Sequence, residues 1–593
     1  MIESPFRLPR VTPFGIGEIL AEWATGLHRL DAHYQDRPLE LTSFEFMRYT
    51  LQRLNVTYDI HQGELSSIPK TGPVVIVANH PLGALEGVIL AEMVGRVRPD
   101  VKVLANEYLK QIPEISELFI GVDVFETQQA KKTNAKALRD AHKHLANQGV
   151  LIIFPAGEVS TYNKETKLLE DKRWSYSAAK FIEKHNATTI PIYIDGKNSH
   201  TFYLAGKIHP LLRTLMLGRE MLNKKENTIH LSIGSAIPHK ELSGLRSPIE
   251  TINYLRLNTY LLATNTDTET RKEIPSQHLS PVIAPIDIAC LEHEIESLAS
   301  NAKLLEQNGL SVYCSKSQAI PNIMQEIGRI REITFRDVGE GTGLNCDLDE
   351  YDAHYYHLFI WHQENKEIVG SYRLGLVDEL IAEFGLDGLY SRSLFNYQQP
   401  FIDTLKYSIE VGRSVVTKKY QRNVSSLLLL WKGISTFVYQ RPKYTHLFGP
   451  VSISNDYSLS ARQLIASTLT IHHYDNKKAA LVSATTPLKP AIKKLWNGDM
   501  LSLLGDLKLL SKVLSRIEKG KGLPVLLRQY IGLNGKLVCF NVDPDFNDAL
   551  DGLIVVDMSN VPHKTLSKYM GKEEAMCYLK KHQDNSNSLV DNN

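Results

Sequence analysis

Apolar positions in the first 70 residues recur at helical spacing, most clearly in EILAEWATGLHRL and FEFMRYTLQRL. The period changes at Val74. From there short apolar runs alternate with helix-like stretches: VVIVA, a helix at 88–98, VKVLA at 101–105, FIGVDVF at 119–125, a long helix around 130–147, VLIIF at 150–154 and TIPIYI at 189–194. Strand and helix in alternation predict an α/β sheet covered by helices. The polar, Thr-rich, proline-bounded stretch at 264–281 marks a boundary. After it come a helix around 287–307, the helical run PNIMQEIGRIREITFRD and an acidic, glycine-containing loop at 337–353. Three strand-like runs (HLFIWHQ, KEIVGSYRLGL, YSIEVGRSVV), the helix SSLLLLWKGISTFVYQ and the run HLFGPVSIS follow. That order predicts a separate α+β domain. The chain is therefore expected to divide into an α/β domain at 1–263, a linker at 264–284, an α+β domain at 285–583 and a disordered tail at 584–593.

Composition narrows the functional classes. The 593 residues are 43% hydrophobic and 22% charged, with a formal net charge of +1. That near-neutral balance argues against nucleic-acid binding driven by bulk charge. The five cysteines (Cys290, Cys314, Cys346, Cys539, Cys577) are widely spaced, which suits reduced thiols in the cytoplasm. No apolar run reaches the ~18 residues of a spanning helix, and the N-terminus has no signal-peptide core, so any bilayer contact is expected to be peripheral. The segment 208–225 (IHPLLRTLMLGREMLNKK) mixes leucines with Arg213, Arg219, Lys224 and Lys225. It fits a membrane-surface helix or an ordinary core-facing one.

The chemistry centres on VVIVANHPLGALEG, Val74 to Gly87. A strand delivers Asn79 and His80 to its end, and Pro81 and Gly83 bend the chain. Histidine is suited to accept a proton near neutral pH. Glu86 lies six positions on and meets His80 only if the loop is bent; otherwise His80 is a structural histidine. FPAGEVS ends the strand VLIIF in the same way, where ligands sit in open α/β sheets. If the strands are neighbours, His80, Glu86, Gly157, Glu158 and Asn198 share a cleft. His142 and His144 read as surface residues, and no His/Cys/Asp grouping has metal-ligand spacing, so no catalytic metal is expected.

At His80 and FPAGEVS the sequence resembles the glycerolipid (lysophospholipid) acyltransferases over about residues 20–240. The resemblance implies that His80 is a general base acting on an acceptor hydroxyl, that Glu86 orients it, and that Asn79, Gly157 and Glu158 line the acceptor site. Two departures stand out: the carboxylate is Glu, one residue further along, and Val159 replaces the family's phosphate-gripping Arg. They resemble the haemolysin-like branch, and Glu158 would then suit an acceptor bearing an amine. The second half resembles the GNAT-fold, carrier-protein-dependent N-acyltransferases. The matching residues are Arg331 and Phe335 in RIREITF, Asp349 and Asp352 in DEYD, Arg373 in SYRL, and Glu410 and Arg413 in EVGRSVV. The resemblance implies an acceptor pocket built from these residues, with Glu410 helping to deprotonate an amine. On the residues alone, Asp349 and Asp352 also fit a solvated turn or weak cation site, and Glu410–Arg413 a structural ion pair. YQRNVSSLLLLW lacks the glycines of a pyrophosphate loop, which favours an acyl-carrier protein over free coenzyme A as donor; Lys418, Lys419 and Arg422 would meet that carrier or simply be solvated. No bound cofactor is expected.

Together the halves resemble bifunctional ornithine lipid synthases, enzymes with amino-acid and lyso-aminolipid substrates at the inner face of the cytoplasmic membrane. Two other readings stay open. One is a lysophospholipid acyltransferase with a GNAT-like docking module, the other a non-enzymatic peripheral membrane scaffold.

Overall fold

A computed structural model describes residues 4–10, 12–123, 128–208, 210–265, 279–490 and 496–590. The chain forms two compact units. One comprises residues 1–269 with 492–503, the other residues 270–491 with 504–593.

The first unit is built on seven main strands: β1 (Thr57–Gln62), β2 (Val74–Ala78), β3 (Val101–Asn106), β4 (Phe119–Val122), β5 (Val150–Ile153), β8 (Thr188–Asp195) and β9 (Thr228–Ile233), with a small hairpin of β6 (Thr161–Tyr162) and β7 (Leu169–Glu170) between β5 and β8. The sheet order is β1-β9-β8-β2-β5-β3-β4, parallel except for β8 against β9. Every residue of β2 is buried, as a continuous Val/Ile run covered on both faces requires. β2 lies between β5 and β8, so the three strand ends singled out in the sequence are neighbours.

The helix Ile16–Thr25 follows the predicted period but presents the opposite face. Its buried residues are Glu18, Glu22 and Thr25, while Ile16, Ile19, Leu20 and Trp23 (70%) face solvent beside Phe14 (96%). Backbone explains the inversion. Glu18 accepts from the amide of Thr12 at 2.8 Å, and Glu22 accepts from the amide of Leu8 at 2.8 Å and from Arg10 at 3.0 Å.

The second unit holds an eight-stranded sheet in the order β10 (Lys303–Gln307), β11 (Leu310–Lys316), β12 (Tyr356–His362), β13 (Glu367–Leu376), β15 (Ser408–Val416), β16 (His446–Ile453), β19 (Ala549–Asp557) and β18 (Lys536–Asp543). A separate pair joins β14 (Phe395–Tyr397) to β17 (Val482–Ala484). All neighbours are antiparallel except β15 and β16, which pair only from Ser408–Glu410 to His446–Phe448. The helix expected at 287–307 ends at Ser297, and its last residues form β10. The helix Lys572–Val590 covers the start of the tail expected to be disordered, and much of the expected linker, residues 266–278, lies outside the described residues.

Candidate active sites

In the first unit the bend after β2 does what the spacing requires. Gly83 has φ of 94°, and a Cβ there would meet a Leu217 methyl at 2.6 Å. The chain thus turns directly into the helix Ala84–Gly95, whose first turn holds Glu86. The His80 Nδ1 lies against Glu86 Oε1, and Glu86 Oε2 accepts from the Leu82 amide at 2.7 Å. Glu86 is completely buried, so burial holds its proton more tightly than usual despite the neighbouring imidazole. Burial also works against the charged form of His80, but the Glu86 carboxylate outweighs it and the imidazole is more basic than usual. Phe154, at the end of β5, stacks on the His80 ring with centroids 4.6 Å apart. Nδ1 is committed to Glu86, which leaves Nε2 for chemistry.

Asn79, expected in the acceptor site, instead clamps the sheet. Its side-chain carbonyl accepts from the Ile194 amide at 2.7 Å, and its NH2 donates to the Ile194 carbonyl at 2.9 Å, so both ends are spent on β8. Gly157 turns FPAGEVS with φ of 69°. Glu158 is not free for an amine. It already pairs with Lys172 at 2.7 Å and Arg213 at 2.6 Å, and these cations hold its carboxyl below its ordinary range against the opposing effect of burial. Val159 packs with Phe202 and Tyr203. Arg213, from the helix Pro210–Leu215, therefore brings a guanidinium to the place where the sequence lacks one, close enough for its charge to bear on His80. Asn198 closes the other side, donating to the Pro81 carbonyl at 3.2 Å.

Sequence reasoning missed Asp171. This buried carboxylate accepts from the His80 amide at 3.2 Å, from the Ser160 hydroxyl at 2.5 Å and from the Trp174 indole at 2.8 Å, tying both strand-end loops together. Nothing in DKRWS signals that role, because the two loop partners it ties together, Ser160 and His80, are 11 and 91 residues away. Proximity in space also gathers Asp59, His61 and His230 at the β1–β9 edge, with one ligand-type atom from each within 4.8 Å of the others. Linear spacing does not reveal that trio.

In the second unit Asp349 and Asp352 cap one short turn reciprocally, each side chain accepting from the other's amide at 3.2 and 2.9 Å. The turn aims both carboxylates at arginines. Asp352 bonds Arg331 at 2.9 Å and lies 3.3 Å from Arg373, while Asp349 pairs with Arg373 and lies 3.4 Å from Arg413. Arg331 and Arg373 are fully buried. Despite its own burial, Asp352 stays well below the usual carboxylate range beside these two charges. His357, pushed down to about 4 by burial and Arg331, is neutral and donates from Nε2 to the Asp352 carbonyl at 2.8 Å. Asp347, absent from the sequence reading, approaches Arg413 at 3.4 Å. Arg413 itself takes φ of 47° at a bulge beside Arg373, beyond the last β15–β16 pair at Glu410, and its guanidinium lies over Tyr390 and Phe546.

Two expected roles are corrected. Phe335 packs against the apolar cluster around Ile327 and Ile330. Glu410 is buried and saturated: it accepts from the Tyr355 hydroxyl, from the Tyr390 amide at 3.1 Å and from the Ser391 amide at 2.7 Å. With both oxygens engaged by these donors, Glu410 positions the loop at 390–393. Lys418 and Lys419 also have partners, Asp337 at 2.8 Å and Glu367 at 2.5 Å.

Comparison with known proteins agrees with this division. Residues 13–269 match the family model described as an acyltransferase, and residues 330–432 match the acetyltransferase (GNAT) domain. The chain is similar to a glycine N(alpha)-acyltransferase of Phocaeicola vulgatus, at 30% identity over 48% of this chain and 90% of the relative. A protein of the same name from Bacteroides thetaiotaomicron is 28% identical over 48% of this chain and 87% of its own length. A lyso-glycine lipid O-acyltransferase of Phocaeicola vulgatus is 27% identical over 37% of this chain and 77% of its own length.

Proposed function

The chain belongs to the acyltransferases and carries two of their domains, an acyltransferase domain followed by a GNAT domain, and from that premise we propose that it makes an aminolipid by two acylations in series. The GNAT unit joins a 3-hydroxyacyl chain, delivered as a thioester by an acyl-carrier protein, to the α-amine of an amino acid. The first unit then esterifies the new 3-hydroxyl. The observation that carries this reading is the His80–Glu86 contact, with Nε2 left to act. His80 removes the hydroxyl proton, the oxygen attacks the thioester carbonyl, the C–S bond breaks, and the thiolate leaves with that proton. Ornithine is the acceptor suggested by the resemblance in the sequence, and glycine the one in the relatives' names. The glycine-free turn before the helix Val424–Gln440, where the Asn423 side chain already caps the Ser425 amide, supports a carrier protein over coenzyme A.

Purified protein given 3-hydroxyacyl-carrier protein and either amino acid should form the amide. A second acyl-carrier protein should convert it to the diacyl lipid. His80→Ala should stop at the amide; a diacyl product from that variant refutes the role given to His80.

A lyso-lipid acceptor resides in a membrane, and no helix among the described residues is long and apolar enough to cross one. The helix Ile16–Thr25 supports peripheral docking at the cytoplasmic face. Its polar side is locked inward, its outward side carries Phe14, Ile16, Ile19, Leu20 and Trp23, and the neighbouring segment 217–225 exposes Arg219 and Lys225. Within 208–225, Leu222 and Glu220 are buried and Arg213 turns to Glu158, so that segment adds its exposed cations to the N-terminal helix rather than a membrane face of its own.

A further inference from the structure

The amide-forming centre needs a group to take a proton from the incoming ammonium, and Glu410 is fully occupied. Another carboxylate in the same unit is not. Asp551, on β19, is 5% exposed, and among the described residues its side chain has no hydrogen-bond or ion-pair partner. Such a group is costly to keep in a fold unless something else uses it. Its surroundings point to what that is. In the sheet Asp551 stands directly opposite Ser452 of β16 and Asn541 of β18, so the three side chains share one face. The Ser452 hydroxyl donates to Glu340 at 3.1 Å, which brings a second buried carboxylate over that face. Asp543, two positions from Asn541, adds a third. The groups whose charges bear on Asp551 are Asp543, Glu340 and Arg413, two carboxylates against one guanidinium. Arg413 lies three residues beyond Glu410, the last residue of β15 that pairs with β16.

We infer that Asp551, Asp543 and Glu340 form the subsite that receives the acceptor's ammonium group, and that Asp551 takes the proton from it. The inference rests on the amide-forming half of the proposed function. The ammonium passes one proton to the Asp551 carboxylate. The freed nitrogen lone pair attacks the thioester carbonyl, a C–N bond forms and the C–S bond breaks. The departing thiolate takes the second nitrogen proton and leaves as the carrier's thiol, and Asp551 releases the first proton to solvent. Burial, together with Asp543 and Glu340, raises the carboxyl well above its usual range, which suits it to accept a proton near neutral pH, and Glu340 itself is pushed up to about 7, chiefly by burial. Arg413 opposes that rise.

The test is Asp551→Asn in the full chain, with an amino acid and 3-hydroxyacyl-carrier protein as substrates. Amide formation should fall by about 100-fold or more in kcat, and the acid limb of its pH profile should disappear. Asp551→Glu should restore part of the rate. Ester formation on supplied monoacyl lipid should stay within twofold of wild type, and Tm should hold or rise, because an unpaired buried charge has been removed. Amide formation within threefold of wild type overturns the inference alone. Loss of both activities with a lower Tm assigns Asp551 to the fold and overturns it too. A wild-type protein that makes no amide from any amino acid overturns the proposed function, and this inference with it.

Discussion

His80 can act as a base only when neutral, and Glu86 makes neutrality harder to reach. Because the imidazole is held above 6.5 by its partner, ester formation should climb with pH through a midpoint above that value. Glu86→Gln removes the main group that raises it and leaves the burial that lowers it, with Asp171 still opposing that burial. The midpoint should then fall, and kcat should fall roughly 10²–10⁴-fold as the ring loses its orientation. Asp352 makes a different prediction. Its carboxylate faces Arg331 and Arg373, both without solvent, so Asp352→Asn should cost about 3–5 kcal/mol in urea unfolding by leaving buried charge unpaired. Its depressed pKa gives stability that is complete above about pH 4, the unfolded carboxylate range, and is lost as pH falls through the folded value. At this scale the dyad was legible, because Pro81 and Gly83 announce the bend that joins positions 80 and 86. Asn79, Glu158 and Glu410 were legible as positions but not as roles. Each is polar, adjacent to a strand end or within a strand, and claimed by partners that only the fold supplies. Asp551 was not legible at all: one acid in ALDGLIVVD reads as an outward-facing residue until Ser452 and Asn541 are seen beside it.

The helix Ile16–Thr25 shows how an element's period can be right while its orientation is wrong. Apolar residues at helical spacing ordinarily face the core. Here Glu18 and Glu22 are drawn inward by the amides of Thr12 and Leu8, and the apolar side is left in solvent. The Leu20→Ser/Trp23→Ser double variant should weaken co-sedimentation with anionic vesicles by roughly tenfold, about 1.4 kcal/mol. Its rate on a short-chain, water-soluble acceptor should be unchanged. Equal vesicle binding by the variant would remove this helix as the docking element. The strands that carry His80 and FPAGEVS were readable because fully buried β2 and β5 are unbroken Val/Ile/Leu runs. β1, with no buried residue, and β9, mixed in composition, were not.

Over the whole molecule, the polar, Thr-rich stretch at 264–281 lies between two units with different sheets, one mostly parallel and one mostly antiparallel. What no local pattern announces is the return of residues 492–503 to the first unit. Trp496, Met500 and Leu501 are buried there, and Asn253 donates to the Asp499 carbonyl at 3.3 Å. A fragment ending at residue 269 leaves that packing out. At about 2 kcal/mol for each large apolar side chain lost, it should melt several degrees below the same fragment with 492–503 appended through a flexible linker.

That returning stretch makes the polypeptide pass between its two bodies three times, at 269/270, 491/492 and 503/504. A protease site engineered into 266–278 would therefore cut the backbone without releasing either piece, and the nicked halves should travel together on a sizing column until denaturant is added. Swapping one catalytic body for another by recombination at the obvious junction would strand a dozen residues with the wrong owner.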